Sequence, residues 1–195
     1  MRIIRRADQR AMPWKNGGGV TTEIAVFPAD AGLDDFHWRV STARVDRDGP
    51  FSLFLGVDRS LSLLEGEGIT LKVQGRVPYE MTKRCEPLVF PADVPTEATL
   101  MSGPITDLNV MTRRDRYESD VRRVEIAGKL VLEAVDEVTI LIADGEGLRV
   151  ATGDRTDALQ QGDAVLIDVG ETATLSARET AFAIAIAIAP VAARA

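Results

Sequence analysis

The stretch LSLLEGEGI, residues 61–69, has a near copy further along the chain, ILIADGEGL, residues 140–148. Both combine an apolar run with an acidic residue and a Gly-Glu-Gly turn, and the two copies begin 79 positions apart. A weaker match relates ATL at 98–100 to ATL at 173–175, 75 positions later. Self-similarity at a nearly constant spacing indicates two halves of similar structure. We therefore predict a duplicated fold in which each half contains the same strand, turn and strand.

Strand patterns also dominate the rest of the chain. Short alternating or β-branched runs, interrupted by Gly, Pro or Asp every ten or so residues, are typical of an all-β sandwich or barrel. In the last run, AFAIAIAIA at 181–189, Phe182 and three isoleucines fall on one face and alanines on the other. The best helical candidate is a charged stretch at 115–124. The predicted strands are 21–27, 36–45, 59–64, 68–73, 87–90, 98–101, 107–111, 138–143, 164–169, 173–177 and 181–189.

The repeat and the composition together predict the domain organisation. The chain has 195 residues, 45% of them hydrophobic and 27% charged, which is ordinary globular composition. We predict an N-terminal half at 1–112, a linker at 113–128 and a C-terminal half at 129–195, within one compact unit.

Charge and hydropathy restrict the partners and the compartment. There are 23 Lys and Arg against 30 Asp and Glu, a net charge of −7, so we expect neither a nucleic-acid nor a membrane partner. The first nineteen residues lack the apolar core of a signal peptide. The longest apolar run, 181–193, is too short to cross a bilayer core of about 30 Å as a helix. We therefore expect a cytoplasmic protein.

Histidine and cysteine each occur once, as His37 and Cys85. These counts exclude a multi-His or multi-Cys metal centre and an internal disulfide. We expect no metal and no other cofactor, and the alternative is a carboxylate-only site for Mg²⁺ or Ca²⁺. Cys85 has no second residue to activate it, so a buried or incidental thiol is the simpler interpretation.

Five motifs occur in a characteristic order, and together they resemble the HutD/Ves family along essentially the whole chain. They are MPWKNGGGVTTEI at 12–24, WRVSTA at 38–43, GPFS at 49–52, DRSLSLLEGEG at 58–68 and DLNVMTR at 107–113. The resemblance implies a bicupin, which contains two cupin-type β-sandwich or barrel halves of the RmlC-like jelly-roll kind. Most cupins hold a metal through histidines that are missing here, so a non-metal cupin is expected.

The resemblance also implies a function. HutD is associated with histidine utilisation operons. It is proposed to bind a pathway intermediate such as urocanate or N-formylglutamate and to restrain induction of the pathway. Ves is described only as a stress-related protein.

Alternation along two strands predicts polar faces. In WRVS, Arg39 and Ser41 share one face, and in DLNVM the polar Asp107 and Asn109 share one face. Strands with one apolar and one polar face suit a sandwich in which one side packs and the other lines a pocket. The alternative is that these polar faces point to water. Arg59 is a further candidate because a guanidinium binds a carboxylate through two hydrogen bonds, and the alternative for it is a surface salt bridge.

A glycine-rich loop completes the predicted site. Asn16, Gly17 and the following glycines can offer backbone N–H groups to an anion, with Lys15 beside them, although a plain turn is the alternative. We predict a small carboxylate ligand held by the two arginines and oriented by hydrogen bonds, with no catalytic residue. The predicted ligand-binding residues are Lys15, Asn16, Gly17, Arg39, Ser41, Arg59 and Asn109.

Two other functions stay open at this point. The first is a metal-independent isomerase or lyase with His37 or Glu23 as the base. The second is an interaction protein whose partner docks on the acidic surface or on an exposed sheet edge. We favour binding over catalysis. A homodimer is also expected, since cupins often pair through strands.

Overall fold

The computed structural model describes residues 1–14, 19–153 and 155–192, and almost all of its regular structure is β-strand. Within these ranges the only helical element is a 3-10 turn at Arg6–Asp8, so no helix there is long and apolar enough to cross a membrane. In chain order the strands are β1 Arg2–Ile4, β2 Arg10–Pro13, β3 Gly19–Phe27, β4 Trp38–Val45, β5 Gly49–Pro50, β6 Val57–Glu65, β7 Ile69–Val73, β8 Tyr79–Met81, β9 Leu88–Pro91, β10 Thr96–Leu100, β11 Ile105–Arg113, β12 Tyr117–Glu133, β13 Val138–Ala143, β14 Arg149–Thr152, β15 Arg155–Ala158, β16 Ala164–Asp168 and β17 Thr172–Pro190. The all-β prediction is confirmed.

Two compact units divide the chain. One contains Met1–Gln9 and Ser119–Pro190, and the other contains Arg10–Glu118 and the segment that starts at Val191. We call them the C-terminal unit and the N-terminal unit. The boundaries differ from those predicted, because the first nine residues pack with the C-terminal unit. There β1 pairs with β16, and Arg5 Nη1 donates to Asp163 Oδ2 at 2.8 Å.

The predicted linker at 113–128 and the helical candidate at 115–124 are both largely β-strand. Residue 113 ends β11, and β12 starts at Tyr117 and pairs with β17. Exposure alternates along the first residues of β12, as it does in a strand with one covered face. The helical interpretation was wrong because backbone pairing with a distant strand outweighed local charge patterning.

The N-terminal unit consists of two antiparallel sheets. The first has the order β2, β3, β4, β11, β6, β9, and the second has the order β5, β10, β7, β8. Apolar residues from both sheets form a single core cluster, to which β6 contributes Leu61 and Leu63 and β7 contributes Ile69 and Leu71. The face of the six-stranded sheet that carries Leu61 and Leu63 is therefore an interior face.

The C-terminal unit contains one seven-stranded antiparallel sheet. Its order is β1, β16, β13, β17, β14, β15, with β12 also paired to β17. In β17, Ile184, Ile186 and Ile188 are fully buried on one face, and Ala181 and Ala183 lie in the core cluster on the other. The small alanine side chains allow that cluster to pack close to the strand, as the sequence predicts. Phe182, on the isoleucine side of the pattern, is half exposed.

The internal repeat corresponds to equivalent strands in the two units. The first copy covers β6, its turn and the start of β7, and the second covers β13, its turn and the residue before β14. β10 pairs with β7, as β17 pairs with β14. Gly66 in the first turn has a φ of +97°, and a Cβ there would lie 2.7 Å from the carbonyl oxygen of Pro104. That turn therefore requires glycine.

Candidate functional site

The predicted polar residues of β4, β6 and β11 meet on the interior face of the N-terminal unit. Asn109 lies opposite Ser41 on one side and Leu61 on the other, and Met111 lies between Arg39 and Arg59 in the same way. Directly opposed residues of an antiparallel pair point to the same face. The polar side chains therefore share the face that carries the core residue Leu61, and the prediction that they point into the sandwich is supported by this register.

Burial shows that these polar faces do not point to water. The relative exposure of Arg39, Ser41, Arg59, Asp107 and Asn109 lies between 1% and 6%. Polar and charged groups are buried at this level only when their interactions compensate for lost hydration. Two alternatives considered from the sequence are therefore wrong. The polar faces do not point to water, and Arg59 does not form a surface salt bridge.

A chain of hydrogen bonds connects three of these side chains. Arg59 Nη1 donates to Asn109 Oδ1 at 3.1 Å, and Asn109 Nδ2 donates to Asp107 Oδ1 at 2.6 Å. The orientation of the amide is consistent along the chain, because a guanidinium can only donate and its neighbour must accept. Asp107 also accepts from the backbone N–H of Ala43. We call Arg59, Asn109 and Asp107 the buried polar chain.

Arg39 has a different partner. Its Nε donates to Glu23 Oε2 at 2.8 Å, and its Nη1 lies 3.4 Å from Ser41 Oγ. Glu23 lies opposite Ser41 on β3, at a point where the register between β3 and β4 shifts. The positive charge of Arg39 is therefore balanced by a carboxylate in direct contact.

Arg59 is held by neutral groups. Its Nη2 donates to the carbonyl oxygen of Ser52 at 3.1 Å. Its guanidinium carbon lies 4.8 Å from the ring centre of Phe51, 5.7 Å from that of Phe54 and 5.9 Å from that of Phe90. Aromatic faces attract a cation but carry no net charge. Among the residues that the structure describes, no carboxylate forms a direct ion pair with Arg59.

Two atoms of the buried polar chain have no hydrogen-bond partner in the described part of the protein, Arg59 Nε and Asp107 Oδ2. One is a donor, and the other belongs to a carboxyl group. A buried polar atom without a partner carries the full cost of its desolvation. Each of these two atoms can therefore form a hydrogen bond with a molecule bound beside it.

Burial also shifts the pKa values of this chain. It raises the pKa of Asp107 to about 7, against the opposing effects of the Arg59 charge and of the bonds from Asn109 and Ala43. It lowers the pKa of Arg59 to about 10, against the opposing effect of Asp107. Arg59 is thus still charged at neutral pH, while Asp107 is divided between its two protonation states. With Asp107 protonated, Arg39, Arg59 and Glu23 leave one net positive charge on this face.

The donor set does not fit the metal that most cupins hold. The face presents the guanidinium cations of Arg39 and Arg59. Its carboxyl groups are Glu23, which is already bound to Arg39, and Asp107, whose pKa of about 7 leaves it partly protonated at neutral pH. Cations repel a divalent ion, and hard metals need several free oxygen ligands. The arrangement suits an anion instead.

The glycine-rich part of the predicted site lies outside the described residues. This applies to Lys15, Asn16 and Gly17. The adjacent Trp14 is described, and its Nε1 donates to Thr21 Oγ1 at 2.7 Å. Four of the predicted ligand-binding residues, Arg39, Ser41, Arg59 and Asn109, therefore lie on one buried face, and the prediction for the loop stays a prediction.

Some contributors to the site were missed or given other roles. Asp107 was placed on the polar face by alternation but was not among the predicted ligand-binding residues. Glu23 was considered as a base, whereas in the structure it is the counter-ion of Arg39. Phe51 and Phe54 come from the loop between β5 and β6 and Phe90 comes from β9, and no periodic signal connects these rings with Arg59.

His37 lies apart from the buried polar chain, at an open surface cavity of about 720 Å³. Its Nε2 is 2.9 Å from Arg116 Nη1, and it therefore accepts, because a guanidinium has no acceptor. The imidazole also packs against Phe27 and Tyr117. The residues around this cavity are Asp34, Asp35, His37, Gly56, Arg113, Arg114, Asp115 and Arg116.

The fold and the site together define a class of protein, a duplicated cupin-type β-protein with a cationic interior face and, among the residues that the structure describes, no set of His, Cys, Asp or Glu side chains grouped for a metal ion. The fold is shared with a cupin 2 conserved barrel domain protein from Leptotrichia buccalis, at a TM-score of 0.62 and 9% identity over 87% of this chain and 88% of that chain. The HutD family model matches residues 6–185, so the chain belongs to the HutD family.

Similar proteins agree with this assignment. A protein from the hutC 3′ region of Pseudomonas putida is 31% identical over 155 residues, which is 80% of each chain. Protein Ves of Citrobacter koseri is 44% identical over 119 residues, 59% of this chain and 61% of that protein, so this match spans less than two thirds of its length.

Two solved structures resemble the chain over nearly its whole length. A conserved protein of unknown function from Pseudomonas aeruginosa PAO1 has a TM-score of 0.86 at 33% identity, covering 96% of this chain and 98% of that one. HutD from Pseudomonas fluorescens SBW25, solved in a formate condition, has a TM-score of 0.82 at 26% identity, covering 97% and 98%.

Proposed function

We propose that this protein binds a small carboxylate metabolite on the interior face of its N-terminal unit. The observation that carries the proposal is Arg59, a buried guanidinium that has an unpartnered Nε and no carboxylate in direct contact among the described residues. A buried charge without an opposite charge is costly unless a ligand supplies one. A carboxylate is the complementary group, because its two oxygens match the two donors on one edge of a guanidinium.

Neighbouring groups give the ligand its orientation. A carboxylate that uses Arg59 Nε and Nη2 takes the place of the Ser52 carbonyl, which now accepts from Nη2. Asn109 and Ser41 lie opposite each other on the same face and can hydrogen-bond the rest of the ligand. The phenyl rings near Arg59 exclude water from the contact, which strengthens an ion pair.

The biological role that we propose is regulation of histidine utilisation, with urocanate or N-formylglutamate as the ligand. Both are small carboxylates, and both suit a cationic, hydrogen-bonding face. The name of the Pseudomonas putida relative places its gene next to hutC, which supports the connection to that pathway.

Isothermal titration with urocanate and with N-formylglutamate tests the proposal. We expect at least one to bind, and we expect Arg59→Lys to weaken that binding by about tenfold or more, since lysine cannot form the two-pronged contact. Arg44→Lys is the matched control, because Arg44 is an exposed β4 arginine paired with Asp46. The absence of binding of both acids at millimolar concentration would contradict the proposal.

A second candidate function is metal-independent isomerase or lyase chemistry, and one observation favours it. Asp107 is a buried carboxyl with a pKa of about 7, a value suited to a general acid or base. The two bases considered from the sequence are less suited, since Glu23 pairs with Arg39 and His37 with Arg116. Proton NMR of each acid incubated with the protein distinguishes the two functions, because binding alone leaves the spectrum of the acid unconverted.

A further inference from the structure

Asp107 is the most unusual group on the interior face, and anion binding by Arg59 alone does not explain it. Its Oδ1 accepts from Asn109, and its buried Oδ2 has no partner among the described residues. An ionised carboxylate buried beside a single cation, with one bare oxygen, is poorly stabilised. A protonated carboxyl needs less compensation and brings a donor to the same place.

The groups that face Asp107 are few. Arg59 approaches from β6, and the Arg39 and Glu23 pair lies on β4 and β3. The four-stranded sheet contributes apolar side chains such as Leu71 and Val73 to this core, and the Cys85 thiol packs at its margin, bonded to Thr82. Arg59 is therefore the main positive charge that favours ionisation of Asp107.

Resting on the proposed carboxylate site, we propose that the protein binds its anion together with one proton, which is held on the Asp107 carboxyl. The proton comes from solvent and forms an O–H bond at Oδ2, and no other covalent bond changes. The ligand enters as an anion at Arg59, so the site as a whole takes up a neutral pair.

The reason is electrostatic. An anion on Arg59 cancels the charge that now opposes the effect of burial on Asp107, and it adds a negative charge close to the carboxyl. Both effects raise the pKa of Asp107 further when the ligand binds. Proton uptake is then small well below pH 7, where Asp107 is already protonated, and rises toward one between the pKa of Asp107 in the free protein and its higher pKa in the complex. The affinity for the anion therefore does not change with pH at low pH, and it falls by up to about tenfold per pH unit above about pH 7.

Formate is the probe of choice, because it is a bare carboxylate that does not itself titrate above about pH 6. Titration calorimetry in two buffers of different ionisation enthalpy measures the protons taken up per formate bound. We expect a clear uptake of up to one proton above about pH 7 and almost none at pH 5.5. In Asp107→Asn, a neutral isostere of the protonated acid, formate binding should show neither the proton uptake nor the pH dependence of wild type. Asp46→Asn, on the surface, is the matched control and should keep both.

A second measurement does not depend on the variant folding. Carbon-13 NMR of aspartate carboxyl groups follows the protonation of Asp107 directly. We expect Asp107 to titrate near neutral pH, and we expect formate to raise the pKa of Asp107. Formate binding without proton uptake, or an Asp107 that titrates near pH 4 and ignores formate, overturns this inference and leaves the proposed function intact. The side-chain NMR signals of Arg59 and Asn109 report on ligand binding. If neither formate nor urocanate nor N-formylglutamate changes these signals, both proposals are overturned.

Discussion

At the scale of single residues, the two buried arginines on the interior face differ in how their charges are balanced. Arg39 is in contact with Glu23, whereas Arg59 is surrounded by a carbonyl, an amide and aromatic rings. The first arrangement is that of a structural ion pair, and the second is the one on which the proposed carboxylate site rests. Alternation predicted the face that Arg39 shares with Ser41, but only the register of β4, β11 and β6 shows that Arg39 and Arg59 lie on the same face.

The Arg39 pair should therefore matter for stability. Glu23→Gln leaves the Arg39 charge buried without its counter-ion, and we expect a loss of about 2–4 kcal/mol in the free energy of unfolding. Urea denaturation followed by tryptophan fluorescence measures it. Asp46→Asn removes the partner of the exposed Arg44 and should cost less than about 1 kcal/mol. Equal costs for the two substitutions would contradict the assignment of a structural role to Glu23.

Asp107 predicts a particular dependence of stability on pH. Its pKa in the folded protein, about 7, lies above its ordinary value of 3.8, so the folded state binds more protons between about pH 4 and 7. The free energy of unfolding therefore falls as pH rises through this window. Above it, Asp107 is ionised in both the folded and the unfolded state and adds no further dependence on pH. Asp107→Asn removes this contribution. We expect the variant to gain about 2–4 kcal/mol relative to wild type between pH 4 and pH 8, since each pKa unit corresponds to about 1.4 kcal/mol.

Denaturant titrations of both proteins at pH 4 and pH 8 provide the measurement. The comparison uses the change in the difference between the two proteins, so a constant cost of the substitution itself does not matter. A difference that is the same at both pH values would show that Asp107 is not held in its protonated form.

At the scale of elements, strand pairing imposes tight packing that a pattern of hydrophobic residues does not reveal. Gly19 starts β3 opposite Val45, and a Cβ at this position would lie 2.2 Å from the carbonyl oxygen of Arg44. The ring of Trp14 is also close, at 3.2 Å. The sequence alone suggested conformational freedom as the reason for the glycines here, whereas the structure shows close approach as the reason for this one.

We therefore expect Gly19→Ala to destabilise the protein by about 1–3 kcal/mol, because the backbone of β4 must move. Gly49→Ala in β5 is the matched control, since nothing lies within 4 Å of a Cβ there, and its effect should stay within about 0.5 kcal/mol. Thermal unfolding of the two variants beside wild type checks both values. A neutral Gly19→Ala would mean that the β3 and β4 strands separate without cost at this point.

Strand β12 shows the limit of local patterns. Its charged beginning favoured a helix, but the segment is one of the longest strands, because β17 offers it a partner far away in the sequence. By contrast, the second half of β17 was recognised from the sequence, since strict alternation of isoleucine and alanine at 181–189 fits a strand and no helix. The predicted break between 173–177 and 181–189 is wrong, because β17 is continuous over Thr172–Pro190. A sequence pattern predicts an element well when packing restricts the residues on both of its faces. It predicts less well when one face is exposed to solvent and accepts many residue types.

At the scale of the whole molecule, the chain termini do not follow the order of the two repeats. The first nine residues belong to the unit that is otherwise built from Ser119–Pro190. Besides the β1 pairing, Asp163 accepts from the backbone N–H of Arg6, and Gln9 Nε2 donates to the Gly162 carbonyl. The N-terminal segment thus forms an integral part of the C-terminal unit.

Removal of residues 1–4 should therefore loosen the C-terminal unit at one defined place. We expect the amides of Ala164–Leu166, which lie opposite β1, to exchange with solvent at least about tenfold faster. Amides of β11 in the N-terminal unit serve as the internal control and should keep their rates. Hydrogen exchange followed by mass spectrometry distinguishes the two. An unchanged rate at β16 would show that β1 adds nothing to the stability of that sheet edge.

The sequence by itself determined the β class, the duplication and the residues that share each strand face, because the two-residue period of a strand and the glycine turns are local properties. Only the tertiary structure decided that the polar faces are buried, that Glu23 balances Arg39 and not Arg59, and that the first nine residues complete the C-terminal unit. The physical reason is the same in each case. What covers a face, and which charge meets which, depends on hydrogen-bonded pairing between strands that are distant in sequence, and no local pattern contains that pairing.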